Sequence, residues 1–175
     1  MIGTRYISDT EYPTLYYTLE SLFNKASVFS LYKLQAMEEK IDQFAITESE
    51  RDFFNVTIKL AARDVFRKFS VLSRDITDAL QFKSDDVAST STFDESLSIV
   101  YIFDTPTYWD DNLTEVFDQK VEEALVSYIL KSWFKLKNLG DIYSLEESNY
   151  QGILSEIKSL VNTRTQAPKK TYRSL

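Results

Sequence analysis

Apolar residues recur along this chain mostly at the three-and-four spacing of amphipathic helices, and once as a β-branched run. Residues 1–12 keep neither period and predict an extended arm, after which Pro13 suits the first turn of a helix. Helical spacing then holds from Leu15 to Phe44, in two pieces broken near Lys25–Ser27. Leu15, Leu19, Leu22 and Phe23 share one face, Val28, Leu31, Tyr32, Leu34 and Met37 continue it, and Ile41 and Phe44 complete it. Thr47-Glu48-Ser49-Glu50 has the form of a capping box, with Thr47 placed to cap early amides and Glu50 to reach back. The helix it opens is expected to run to about Phe82. Its stripe is Phe53, Val56, Leu60, Ala61, Val65, Phe69, Leu72, Ile76, Ala79 and Leu80, widened by Phe54, Ile58 and Phe66. An apolar face that wide predicts burial on two sides. Its outer charges Arg63, Arg67, Lys68 and Arg74 interleave with Asp64, Asp75 and Asp78, which predicts exposed intrahelical pairs rather than a nucleic-acid face.

Lys83–Ser96 is polar, rich in Ser and Thr and without period, and reads as a long loop. Leu97–Phe103 is the one convincing strand, stopped by Asp104-Thr105-Pro106. A lone strand cannot satisfy its own backbone. It must pair with Met1–Ile7, with part of the 83–96 loop, or with a neighbouring copy of the chain. Asp110-Asp111-Asn112 supplies helix-start chemistry for a helix over about Thr114–Asn138, roughly 37 Å long at 1.5 Å per residue. Its packing stripe is Phe117, Val121, Ala124, Leu125, Tyr128, Ile129, Trp133 and Leu136. Acids fill its early turns and lysines its late ones, which complements the helix dipole. Leu139-Gly140 ends it, with Gly140 able to take the left-handed conformation. A last helix near Leu145–Val161 packs back through Tyr150, Ile153, Leu154, Ile157, Leu160 and Val161. The whole reads as a mainly α protein: a helical bundle of about four to five helices (residues 1–161) with one short β segment and an extended C-terminal tail (162–175).

Composition sharpens this mainly by what is missing. With no Cys there is no disulfide and no thiolate chemistry; with no His, imidazole metal sites and the commonest neutral-pH base are absent. Three Gly allow no phosphate-cradling loop. A catalytic role is not expected, nor are a catalytic residue, a cofactor or a metal. No apolar run approaches the roughly 20 residues of a membrane span, and Met1–Pro13 has no secretory pattern, so a soluble protein inside a cell, or inside something assembled in one, is expected. Aromatics reach 14%, which fits either an aromatic core or a subunit interface. The tail Asn162–Leu175 carries Arg164, Lys169, Lys170 and Arg173 and no acid, whereas the remainder has 16 Lys+Arg against 27 Asp+Glu. An acidic body with a basic arm reads as a docking device. The tail has little to bury beyond Ala167, Pro168, Tyr172 and Leu175, too little to offset about 1–2 kcal/mol of backbone entropy per residue.

Ala124-Leu125-x-x-Tyr128, Trp133-Phe134, then Tyr150, Leu154, Ile157 and Leu160, closed by Asn162-Thr-Arg164-Thr165 with Lys169, Lys170 and Arg173, resemble bacteriophage head–tail connector (adaptor) proteins, as found in phages and prophages of Bacteroides-type hosts. The likeness extends more loosely over Ser30–Phe82. What it implies is a virion protein of the head–tail junction: a ring homo-oligomer, commonly a dodecamer, beneath the portal protein. Such a ring meets a downstream tail or ring protein and extends the channel through which DNA passes without sequence-specific binding. The resemblance assigns portal docking to the tail, here Arg164, Lys169, Lys170, Tyr172, Arg173 and Leu175. Acids facing such a channel would repel DNA phosphates, and Asp85, Asp86, Asp110 and Asp111 are the candidates.

Two other readings fit the residues themselves. A small helical regulatory or inhibitory module that binds another protein predicts a one-to-one complex and no ring. A carboxylate-dependent metal enzyme would need pairs such as Glu38/Glu39 or Asp110/Asp111, but neighbouring acids on a helix point to different faces and chelate poorly.

Overall fold

The computed structural model describes residues 12–37, 41–83, 97–105 and 111–165. The chain is mainly helical, and the described residues form four long helices and a small three-stranded antiparallel sheet. In order these are β1 (Thr14–Thr18), α1 (Leu19–Ala36), a short α2 (Ile41–Phe44), α3 (Arg51–Phe69), β2 (Leu80–Lys83), β3 (Ser98–Ile102), α4 (Asp111–Leu136) and α5 (Gly140–Thr165).

The strand read from the sequence is the middle one of three, in the order β1-β3-β2. Leu15 faces Tyr101 and Tyr17 faces Ile99 on one side; Leu80 faces Tyr101 and Phe82 faces Ile99 on the other. Both partners come from within the chain, so β3 gives no argument for pairing with another copy. Pro13 therefore precedes a strand and not a helix. Leu15 and Tyr17 are buried while Thr14, Tyr16 and Thr18 are half-exposed, the alternation of a half-buried strand. Leu15, Leu19, Leu22 and Phe23 fit helical spacing only because a period of two merges into 3.6 at Thr18. There the Thr18 hydroxyl accepts the Ser21 amide at 3.2 Å and caps α1.

α1 is continuous through Lys25–Ser27. α3, entered from the Thr47–Glu50 capping box, stops at Phe69. A 3-10 turn over Ser70–Ser73 and a left-handed Asp78 (φ 54°) redirect the chain into β2, so the long helix expected to reach Phe82 is a helix, a turn and a strand. Ser70, Ser73, Asp75, Thr77 and Asp78 offer the backbone local side-chain partners that compete with the helix.

α4 and α5 form the expected antiparallel hairpin. Its turn is closed by Asn138, not Gly140: Asn138 is left-handed (φ 58°), its amide bonds Lys135 O at 3.1 Å, and Leu139 N bonds Phe134 O at 3.0 Å. Gly140 is the first residue of α5, and α5 runs on to Thr165, so Asn162–Thr165 are helical.

The core is aromatic. Phe54 and Phe53 meet Trp133 edge-on or tilted, and Phe69 lies edge-on to both Tyr101 and Phe117. Trp133 donates to Phe44 O at 2.7 Å and Tyr101 to Ala62 O at 2.7 Å, so both polar tips are satisfied inside.

Candidate functional site

The expected packing stripes are where the sequence misleads most usefully. α1 buries Leu19, Leu22, Phe23, Ala26, Ser30 and Leu34, while Val28, Phe29, Leu31, Tyr32 and Met37 are exposed. Ser30 is buried at no cost because its hydroxyl donates to Ser27 O at 2.7 Å and accepts from Ile46 N at 3.1 Å. Val28 and Phe29, each 48% exposed, border a groove of about 800 Å³ between α1 and α5, floored by α4. Its apolar lining is Val28, Phe29, Val126, Leu130 and Ile153.

Ion pairs rim the groove. Lys25 meets Glu122 at 2.5 Å, and Lys120 is shared by Glu123 at 2.8 Å and Glu156 at 2.9 Å. Hydrogen bonds from its ammonium to those two carboxylates hold Lys120 above the usual lysine range. At the other end Lys33 pairs with Glu146, a carboxylate that is only 1% exposed. Glu146 Oε1 also accepts Ser127 Oγ at 2.5 Å and Asn149 Nδ2 at 3.1 Å. Four carboxylates against three ammoniums leave the lining with an excess of negative charge.

The exposed side of α3 has the opposite character. Val56 (64% exposed) and Leu60 (46%) were expected in the core stripe, yet they lie on the solvent face with Arg63 and Arg67, beside half-buried Lys59. The intrahelical pairs expected there do not form. Asp64 instead accepts the Tyr150 hydroxyl at 2.6 Å, and among the described residues no carboxylate lies within ion-pair reach of Lys59, Arg63, Arg67, Lys68 or Arg74. Arg63 rests over the Phe82 ring at 5.7 Å.

Most of the residues singled out by sequence fall where the structure is not described. Asp85, Asp86 and Asp110 lie outside the described residues, as do Lys169, Lys170, Tyr172, Arg173 and Leu175. Asp111 opens α4 and Arg164 sits in the last turn of α5. Among the described residues no cluster of acids is placed to hold a metal ion, and no helix is long and apolar enough to cross a membrane.

The chain matches no family model, no curated protein and no solved structure. Any functional reading therefore rests on its own residues. The two surfaces, one concave and acid-rimmed, one convex and cationic, offer binding chemistry.

Proposed function

We propose that this chain is a structural adaptor of a bacteriophage head–tail junction. It assembles as a ring beneath the portal, extends the DNA channel and docks through its basic C-terminal segment. The observation that carries this is the end of the α4–α5 hairpin. α5 is one unbroken helix of 26 residues whose buried contacts, Tyr150, Leu154, Ile157 and Val161, tie it to the body until its last turn. The acid-free segment bearing Lys169, Lys170 and Arg173 therefore starts from a rigid rod held by an acidic body. A basic segment that follows such a helix in sequence is suited to gripping a more negative protein. The acidic body disfavours lasting contact with DNA phosphates.

The test is binding to purified portal rings, with and without residues 166–175. Because the described buried residues that anchor α5, up to Val161, all remain, the shortened chain is expected to keep its helix content and melting temperature. It loses portal binding if the segment docks; equal binding by both forms contradicts the reading. The groove also suits a second reading, a module that takes a partner helix in a one-to-one complex.

A further inference from the structure

The two surfaces described above lie on opposite sides of the molecule. Val126 and Leu130, on the groove floor, stand nine residues from Phe117 and Val121, about half a turn around α4. Phe117 faces α3, where Phe69 meets it at 5.1 Å between ring centres. In α3, Val56 and Leu60 stand nine residues from buried Val65 and Phe69, again about half a turn away. Groove, α4, α3 and cationic stripe therefore follow one another across the body.

We infer that the α3 stripe of one copy seats in the α1/α4/α5 groove of the next, joining copies head to tail. This rests on the ring reading and supplies its interface. Val56 and Leu60, one turn apart, are the apolar anchors of a helix laid in a groove lined by Val28, Phe29, Val126, Leu130 and Ile153. Arg63 and Arg67 follow on the same face and meet the end of the groove where Glu122, Glu123 and Glu156 gather. The lengths agree: Val56 to Arg67 spans about 16 Å, and Glu146 to Glu156 along α5 about 15 Å. The charges agree as well, since the stripe's cations have no carboxylate partner among the described residues and Lys120 is divided between two acids. Unlike surfaces on opposite sides cannot satisfy each other in a two-fold dimer; they propagate, and close when the rotation allows. The cations alone would equally fit nucleic-acid phosphates. Two exposed aliphatic side chains among them, and an acid-rimmed groove of matching length on the same chain, favour a second copy.

The experiment is native mass spectrometry of the wild type and two charge-reversed variants, Arg63→Glu/Arg67→Glu and Glu123→Lys/Glu156→Lys. The wild type forms multimers, and each variant alone weakens association at least about 100-fold, since like charges then face each other. Mixing the two variants restores assembly, because the groove of the first accepts the stripe of the second and the reversed pair matches too. Circular dichroism confirms that each variant is folded. Independently, Leu60→Cys/Ile153→Cys in this cysteine-free chain gives a covalent ladder on oxidation, whereas each single cysteine gives none. Wild-type rings unaffected by both reversals, or a double-cysteine chain without a ladder, overturn this interface and leave the ring reading standing. A wild type that stays monomeric overturns both. Monomers that retain DNA through Arg63 and Arg67 overturn the interface in favour of a phosphate-binding face.

Discussion

Replacing Lys33 with Met tests whether the closed end of the groove is a built polar site. Glu146 is 1% exposed and its carboxylate has three partners, Lys33, Ser127 and Asn149. Removing one member of a fully buried pair costs about 3–5 kcal/mol, and an exposed pair about 0–1 kcal/mol. The Lys33 side chain is 30% exposed, so water partly replaces the lost ammonium, and two hydrogen bonds to Oε1 persist. An intermediate loss of about 2–3 kcal/mol follows. With a urea slope of about 2–3 kcal/mol per molar for a chain of this size, the unfolding midpoint falls by about 1 M. The double variant Lys33→Met/Glu146→Leu should recover to within about 1 kcal/mol of wild type, because an apolar pair carries no desolvation penalty. Urea unfolding followed by circular dichroism, run as a double-mutant cycle, measures this coupling. A loss below about 0.5 kcal/mol for Lys33→Met, or a double variant as unstable as the two singles summed, would show that Glu146 is solvated and refute the argument.

Three further outcomes follow from the same structure. Burial pushes the Tyr17 and Tyr101 phenols well above their ordinary range, with Asp118 adding to the effect at Tyr17; burial and the Asp64 carboxylate do the same for Tyr150. The folded chain keeps these protons where the unfolded chain releases them, so stability is level below about pH 10 and falls as pH rises beyond it. An ultraviolet titration should show these three tyrosines ionising only with alkaline unfolding; smooth ionisation of all eleven in the folded state would contradict it. Asn138→Ala should lose about 1 kcal/mol in thermal unfolding and Asn138→Gly should lose nothing, since the position is left-handed. Trp133→Phe should cost about 1–2 kcal/mol by stranding the Phe44 carbonyl, and an unchanged melting temperature would mean that water replaces the indole.

How far the sequence could be read depended on how many constraints each segment carried. The α4–α5 hairpin was legible because its stripe, its charge order and the Leu139-Gly140 break all agree. The left-handed residue was misplaced by two positions, α5 begins five residues earlier than expected, at Gly140, and Leu136 of the expected stripe is exposed. β1 and β2 were not legible: Leu15 and Leu80 fit helical spacing equally well, and what makes them strands is the demand of β3 for a partner on each edge. The groove was hidden for a related reason. Val28 looks like a core residue at helical spacing, but among the described residues no helix covers that side of α1, and Val28 and Phe29 are exposed. Glu146 and Ser127 gave no local signal at 19 residues apart. The cations of α3 seemed neutralised by Asp64 until Tyr150, from another helix, claimed that carboxylate.

The adaptor reading is tested most directly by the native mass of the full chain, alone and then with portal rings. The account predicts one closed multimer of defined copy number that joins the portal as a unit and fails to join it once residues 166–175 are removed. A monomer that binds one-to-one, or a multimer that joins equally well without that segment, contradicts it.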